Sequence, residues 1–189
     1  MTNYQNLNML AQMFVSSTGI DLDPLNLEPP PPETRQRLLR FPLDRQDSAL
    51  LPLEQITEVL RVNVAEILPV PEMPICVLGI CNWRGEMLWI VDLNLFLGCP
   101  SLRQQEQVLV TPAVMVVQVN DQAVGLMVSQ VNDIELHELE QLQLAAPGLF
   151  PPKLLPFVLG ALPGGKGTVL DIKAIAQCPL WQLHHKEVS

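Results

Sequence analysis

The same order of short apolar segments occurs twice in this chain, and this repetition restricts the folds available to it. Val77-Leu78-Gly79 recurs as Val158-Leu159-Gly160 at an offset of 81 residues. Further along, Ile90-Val91-Asp92-Leu93 corresponds to Val169-Leu170-Asp171-Ile172, each after a loop that contains glycine. We interpret the pattern as a duplicated β module. Each half has about 50–60 residues, too few for a generous core of its own, so the two halves should pack together.

Two further matches extend the repeat upstream. Residues 53–59 match residues 128–134 at an offset of 75, and Leu68 is matched with Leu149 at the offset of 81. The intervening sequence is rich in Val, Ile and Leu and broken by Pro, Gly, Asp and Asn, which is typical of short β-strands. We expect brief helices after Asp92 and Asp171. The candidate strands are 38–43, 49–53, 56–62, 77–81, 86–91, 108–118, 122–128, 130–136, 157–162 and 167–171.

Composition excludes several classes of protein. Apolar residues make up 48% of the chain and charged residues 16%, which excludes a disordered chain. The net charge of −9 argues against nucleic acid and anionic membrane surfaces, because both are bound by Lys and Arg. No apolar run reaches the ~18–20 residues of a spanning helix, so we expect no direct membrane insertion. Without a basic leader, and with only four cysteines, the sequence predicts a cytoplasmic protein.

Three regions are predicted. Residues 1–36 form an N-terminal tail, with a short helix suggested by Tyr4, Leu7, Ala11 and Phe14 and a linker that contains Pro29–Pro32. Residues 37–180 form the duplicated β domain, and residues 181–189 form a C-terminal tail.

The loop Gly160–Thr168 almost matches a phosphate-binding loop. Gly167 occupies the position of the required hydroxyl residue, and the segment after it favours a strand where the motif needs a helix. The sequence therefore predicts a glycine-rich hairpin and no nucleotide cofactor.

Other catalytic and metal-binding patterns are weak. Asp92 and Asp171 could be compared with the paired carboxylates of aspartic proteases, but neither is followed by Ser or Thr and then Gly. Helix capping is the better interpretation of both. The four cysteines and three histidines lack the spacing of a tetrahedral metal site. We expect no enzyme activity, no metal and no cofactor.

The segment Gly79–Glu86 contains a Trp-Arg pair, Trp83-Arg84, between Asn82 and Gly85. Such a loop would hold the guanidinium beside the indole, and Trp and Arg are enriched where proteins bind each other. The alternative is that Trp83 fills the core while Arg84 makes a surface ion pair. Both interpretations stay open from these residues alone.

The order of these features resembles the CheW-like domain of bacterial chemosensory systems. The resemblance covers about residues 37–180, and the blocks that carry it are Leu39–Leu43, Ile56–Val59, Leu78–Gly85, Ile90–Leu93 and Val124–Val128. It implies two packed five-stranded SH3-like β-barrels with a few short helices. It also implies a non-enzymatic adaptor that binds the regulatory domain of a CheA-type histidine kinase, takes a chemoreceptor cytoplasmic tip between its barrels, and is recruited to receptor arrays.

The resemblance assigns roles to particular residues. Arg84 falls at the Arg of the family's Asn-x-Arg-Gly block, and Glu58 falls at the acidic position of the Ile-x-Glu-Val block. We expect Glu58 and Arg84 to pair and shape a partner-binding surface together with Val59, Asn82, Trp83 and Gly85. The sequence departs from the family pattern at three places, which suggests a specialised member: Trp83 where Leu is usual, Leu51-Pro52 where Tyr-Gly is common, and Ser129 where Asp is common. With the proline-rich leader, the chain resembles the subfamily that works with type IV pili in twitching motility or phototaxis more than a flagellar member.

Two hypotheses remain beside this one. A small-molecule-sensing β module with its ligand between the barrels is the alternative function. In addition, residues 104–152 contain six acidic residues and no Lys or Arg, which suggests that this half faces a basic partner surface.

Overall fold

A computed structural model describes residues 33–43, 47–100, 111–119 and 121–179 of the chain. Regular structure in these ranges is mainly β, with short strands separated by turns and single-turn 3-10 segments. The strands are β1 (Gln36–Pro42), β2 (Ser48–Pro52), β3 (Ile56–Arg61), β4 (Val77–Trp83), β5 (Glu86–Asp92), β6 (Ala113–Val119), β7 (Gln122–Val128), β8 (Ile134–His137), β9 (Gln143–Leu144), β10 (Val158–Ala161) and β11 (Thr168–Leu170). The helices are α1 (Leu93–Phe96) and α2 (Ile172–Ala176).

The described strands form two sheets. The six-stranded sheet has the order β8-β1-β2-β11-β10-β9, and the five-stranded sheet has the order β3-β6-β7-β5-β4. The predicted mainly β class with two SH3-like barrels is thus confirmed. The sixth strand of the larger sheet, which the sequence did not predict, is the two-residue β9, too short to show any periodicity.

Each sheet takes strands from both halves of the chain. Hairpin β1–β2 pairs with β8 on one side and, in parallel, with β11 on the other. Hairpin β6–β7 pairs in the same way with β3 and β5. The halves therefore exchange their hairpins, a closer association than the sequence indicated, since it predicted only that the two halves pack together.

Equivalent glycines mark the same local geometry in both sheets. Gly79 and Gly160 each lie at a register shift between antiparallel strands, where the backbone of another segment approaches closely. A Cβ at Gly79 would lie 2.0 Å from the carbonyl oxygen of Leu68, and one at Gly160 would lie 2.6 Å from that of Gln143. Leu68 therefore corresponds to Gln143 and not to Leu149, because six extra residues separate this point from β10 in the second half.

The largest core lies between the two sheets. It contains twenty buried residues from both, among them Leu39, Leu51, Met115 and Leu126. A second cluster fills the five-stranded barrel, and a smaller one, with only four buried residues, fills the six-stranded barrel. Both counts refer to the described part of the chain.

Most predicted strands agree with the structure to within one or two residues. The prediction of a strand over 130–136 is wrong at its start, because β8 begins only at Ile134. Before it, Asn132 donates a backbone hydrogen bond to the carbonyl of Arg40, and Gln130 bonds the Asn132 side chain. Residues 1–32, 108–110 and 181–189, on which other predictions fall, lie outside the described residues. In the described ranges no helix has the length and apolar character needed to cross a membrane.

Candidate functional site

The β4–β5 hairpin presents the Trp-Arg pair. Trp83 is paired with Glu86, so the loop consists of Arg84 and Gly85 alone. Their φ angles are 53° and 87°, and positive φ at both loop positions is what a type I′ hairpin turn requires. The Asn82 side chain accepts a hydrogen bond from the Gly85 amide at 3.3 Å. A non-glycine residue in this left-handed region of backbone conformation, such as Arg84, carries strain of about 1–2 kcal/mol.

Glu58 reaches this hairpin from the opposite end of the sheet. Its Oε2 accepts hydrogen bonds from the Trp83 indole Nε1 at 3.0 Å and from Arg84 Nη2 at 2.8 Å. The Arg84 Cζ lies 5.1 Å from the Trp83 ring centroid, within the range of a cation–π interaction. The structure therefore brings Glu58, Trp83 and Arg84 together as one cluster, which we call the Glu58–Trp83–Arg84 cluster.

Exposure differs sharply within this cluster. The Arg84 side chain is 67% exposed and that of Glu58 is 35% exposed, whereas Trp83 is half-buried and packs against the core of the five-stranded barrel. Exposed ion pairs typically contribute only about 0–1 kcal/mol to stability. The indole therefore packs on the core, and Arg84 makes a surface ion pair while its guanidinium remains mostly exposed.

Val59 is not part of this cluster. Residues of β3 alternate between half-buried and exposed, so Val59 points away from the face that carries Glu58. It is 40% exposed. Met87, 69% exposed and paired with Asn82 across the hairpin, was missed from the sequence. Met87 belongs to the continuous apolar run Met87–Val91, so no alternation of polar and apolar residues separated its exposed side chain from the buried ones.

Both aspartates at strand-to-helix junctions accept hydrogen bonds from helix N-termini. Asp92 Oδ1 accepts from the Leu95 amide at 3.1 Å. Asp171 Oδ1 accepts from the amides of Lys173 at 2.8 Å and Ala174 at 3.2 Å. These bonds satisfy amide groups that a helix cannot satisfy internally, as capping requires.

The ionisable sulfur and imidazole groups form no metal site within the described ranges. Cys76 belongs to the core between the sheets and Cys81 to the core of the five-stranded barrel, so the two thiols lie on different sides of the sheet. Burial raises the pKa of both thiols, which keeps them protonated. His184 and His185 lie outside the described residues.

A second polar cluster occupies the six-stranded barrel. The Arg40 guanidinium binds the Glu135 carboxylate with two hydrogen bonds, Nε to Oε1 at 2.5 Å and Nη2 to Oε2 at 2.9 Å. His137 Nε2 lies 2.7 Å from Glu135 Oε2. The hydrogen bond from Arg40 lowers the pKa of Glu135 to about 2. This cluster was not predicted from the sequence, although an arginine within the apolar run Leu38–Phe41 was a signal for it.

A cavity of about 290 Å³ lies at the mouth of the six-stranded barrel. Ser48, Leu149, Phe150, Lys166 and Thr168 are among its lining residues. The glycine-rich segment beside it is a connection between antiparallel strands β10 and β11, as the sequence predicted. The cavity belongs to one barrel, whereas the sequence hypothesis placed a ligand between the barrels.

Two SH3-like barrels that share a core define a double-barrel β domain, and this one displays an aromatic–arginine–carboxylate cluster. Residues 37–178 match the CheW-like domain family, and the chain belongs to that family. Members of this family are scaffolds or adaptors and not enzymes, so the protein is classed as non-enzymatic.

Two relatives illustrate the similarity. The chain is 39% identical to the "Chemotaxis protein CheW" of Rhizobium meliloti (strain 1021) over 66 residues, which are 35% of this chain and 40% of that protein. The match therefore spans less than half the length of this curated relative. The fold is similar to that of the scaffolding protein TtCheW from Thermoanaerobacter tengcongensis, with a TM-score of 0.62 and 21% identity over 82% of this chain and 97% of that chain.

Proposed function

We propose that this protein is an adaptor that couples chemoreceptors to a CheA-type histidine kinase, and that the Glu58–Trp83–Arg84 cluster is its partner-binding surface. The observation that carries this proposal is that one carboxylate oxygen holds both the indole and the guanidinium. The cluster is thus ordered before a partner arrives, and ordered Trp and Arg side chains lose little entropy when they bind.

Exposed apolar side chains along the shared core support a groove between the barrels. Val59 pairs with Met115, and Ile134 pairs with Leu39; both partners are buried in the core between the sheets. Val59 and Ile134 therefore lie on the core-facing side of their sheets, yet they are 40% and 55% exposed, and Leu136 is 45% exposed. We call Val59, Ile134 and Leu136 the groove margin. Its apolar character suits the receptor tip.

The acidic side chains next to the groove margin indicate that the partner surface carries positive charge. Asp133, Glu138 and Glu140 are all exposed. A partner surface with Lys or Arg beside apolar side chains complements this region, and its association should weaken as salt screens the charges.

The cellular location follows from the proposed partners. A protein that binds the cytoplasmic tip of a receptor and a kinase resides in the cytoplasm and is recruited to membrane-bound receptor arrays. Service to a pilus-based or phototactic system stays a prediction, which twitching and phototaxis assays on a deletion strain would test.

Calorimetric titration with the regulatory domain of the CheA-type kinase from the same cell, and then with the receptor tip, tests the proposal. We expect saturable binding that Arg84→Ala weakens by about tenfold, the usual effect of losing an interface arginine. Lys173→Ala is the matched control, because it removes one positive charge from an exposed position on α2. Absence of binding to both partners by folded protein would overturn the adaptor role.

A double-mutant cycle tests whether the cluster acts as a unit. Glu58→Gln keeps an acceptor for the Trp83 indole but removes the charge that pairs with Arg84. We expect the effects of Glu58→Gln and Arg84→Ala on partner affinity to be strongly non-additive, whereas simple addition would show that the pair is not coupled.

The cavity in the six-stranded barrel supports a second candidate function, a small-molecule-sensing module. Its volume of about 290 Å³ is at the lower end of the range for ligand sites. A concentration-dependent rise in melting temperature with a candidate metabolite, lost in Phe150→Ala, would favour this function.

A further inference from the structure

The interior of the six-stranded barrel contains polar side chains at positions where the five-stranded barrel, which we call its sister barrel, contains apolar ones. At the repeat offset of 75, Leu60 corresponds to Glu135 and Val62 to His137. Leu60 and Val62 both pack in the core of the five-stranded barrel. Glu135 and His137 instead bond to each other and face the barrel interior.

Arg40 is the third polar residue of the six-stranded barrel that stands where the five-stranded barrel has an apolar residue. In the five-stranded sheet Glu58 is in register with Val116, which is fully buried. In the six-stranded sheet the residue equivalent to Glu58 is Asp133, and its carbonyl accepts a hydrogen bond from the Arg40 amide at 2.9 Å. Arg40 therefore occupies the position of Val116, with a side chain that is only 16% exposed.

The Arg40 guanidinium connects four separate segments of the chain. Besides its two bonds to Glu135 on β8, its Nη1 donates to Ser48 Oγ on β2 at 2.5 Å and to the Lys166 carbonyl at 2.6 Å. Arg40 itself lies on β1. A valine at this position could hold none of these groups.

Space for the guanidinium depends on Gly167. A Cβ at this position would lie 2.8 Å from Arg40 Nη1 and 2.7 Å from a Leu50 methyl carbon. At the offset of 79, the corresponding residue of the sister barrel is Leu88, which is fully buried there. The six-stranded barrel thus has an arginine side chain from β1, which is separated from β11 by β2, in the space that a leucine fills in the five-stranded barrel.

We propose that Arg40 is a positioning residue whose guanidinium fixes β8 and the loop 163–167 in one arrangement and thereby sets the Ile134–Leu136 side of the groove margin. The effect on partner binding rests on the proposed function, whereas the ordering of β8 and the loop does not.

The alternation of side chains along β8 explains how the Arg40–Glu135 contact inside the barrel determines the direction of Ile134 and Leu136 on its outer face. β8 has four residues and, within the described residues, pairs only with β1. Its side chains alternate in direction, so holding Glu135 and His137 inward turns Ile134 and Leu136 outward. Because the fork of Arg40 binds Glu135 at two points, it fixes the rotation of this edge strand as well as its distance.

Replacing the cluster by the residues of the sister barrel separates positioning from stability. The triple variant Arg40→Val, Glu135→Leu and His137→Val rebuilds the apolar set of Val116, Leu60 and Val62. Apolar replacement of a buried ion pair is often neutral or stabilising. This gain is offset by the space left beside Gly167, where the five-stranded barrel has Leu88. We therefore expect a melting temperature close to that of the wild type. We expect amide exchange in β8 and residues 163–167 to become at least about tenfold faster, and receptor-tip affinity to fall by about tenfold.

Arg40→Lys is the second variant and serves if the triple variant fails to fold. It keeps the charge but cannot form the bidentate contact, so we expect the same changes in exchange to a smaller degree. Lys173→Ala, on α2, is again the control and should leave exchange in β8 unchanged.

Exchange in β8 and the loop that stays at the wild-type rate in either folded variant would overturn the proposal. Faster exchange with unchanged receptor-tip affinity would overturn its groove part. If the wild-type protein binds no receptor tip at all, the proposed function fails, while the exchange measurement still decides whether Arg40 positions β8.

Discussion

Glu58 and Trp83 lie on the two end strands of the five-stranded sheet, yet the indole Nε1 donates a hydrogen bond to the Glu58 carboxylate at 3.0 Å. Strands β3 and β4 are separated by three others in the hydrogen-bonded order. They can meet only because the sheet curls until its edges face each other, which is how a barrel closes. The same contact that closes the barrel therefore holds the candidate binding residues.

The backbone of Arg84 predicts a conflict between stability and binding. Its φ of 53° is a conformation that glycine adopts without strain. We expect Arg84→Gly to be more stable than Arg84→Ala by about 1 kcal/mol in urea unfolding, because both remove the side chain and only alanine keeps the strain. Both should lose partner affinity equally in the calorimetric titration. Equal stability of the two variants would show that the turn does not strain Arg84.

Two glycines of the β4–β5 hairpin should differ strongly in their tolerance of alanine. Gly79→Ala would place a Cβ 2.0 Å from the Leu68 carbonyl oxygen, whereas a Cβ at Gly85 would have no heavy atom within 4 Å outside its own residue and its two chain neighbours. We expect Gly79→Ala to cost more than about 3 kcal/mol and Gly85→Ala about 1–2 kcal/mol, from its positive φ alone. Thermal unfolding monitored by circular dichroism measures both. Similar losses would contradict a steric role for Gly79.

Capping by Asp171 predicts a graded series of substitutions. Asp171→Asn and Asp171→Ser keep an oxygen that can accept from the Lys173 and Ala174 amides, and Asp171→Ala does not. We expect Asp171→Ala to lower the free energy of unfolding by about 1 kcal/mol and the other two to lose less. Alanine as stable as asparagine would show that the cap contributes nothing.

Glu135 predicts part of the acid sensitivity of the fold. The hydrogen bond from Arg40 lowers its pKa to about 2, from an ordinary value of 4.5. A depressed carboxyl pKa stabilises the folded state above the unfolded value, so this contribution is present above pH 4.5 and disappears as the pH falls toward 2. We expect a loss of about 1–2 kcal/mol over that interval after solvent screening.

The control for this pH dependence is Glu135→Gln, which cannot ionise. The slope of unfolding free energy between pH 4.5 and 2 should be smaller in this variant than in the wild type. Identical slopes would mean that other carboxyl groups account for the acid sensitivity.

Local patterns allowed much of this molecule to be predicted. The alternation and punctuation of apolar segments indicated the β class and most strand bounds, and the positions of Asp92 and Asp171 indicated where short helices begin. The pairing of Arg84 with Glu58 followed from the resemblance of two short blocks to the CheW-like family. These features were predictable because each depends on a few neighbouring residues or on a recognised motif.

Three features could not be read from local patterns. The exchange of hairpins between the halves depends on which strand edges meet, and several pairings satisfy the same apolar pattern. Alternation within the predicted strand already places Glu58 and Val59 on opposite faces, but which of these faces borders the shared core is decided only once β3 is placed in its sheet. Arg40 and Glu135 are 95 positions apart in the chain, and the local sequence around one residue does not indicate the other as its partner.

The sequence by itself determined the β class, the twofold repeat, a tight loop within residues 82–85 and the resemblance to the family, because strand period, turn chemistry and motif spacing are short-range properties. Tertiary structure alone decided that the halves exchange hairpins, that one barrel interior is apolar while the other contains Arg40 and Glu135, and which exposed side chains border the shared core. These depend on which faces and edges come together in space, where packing and the cost of burying unpaired charge select one arrangement among many that satisfy the same local pattern.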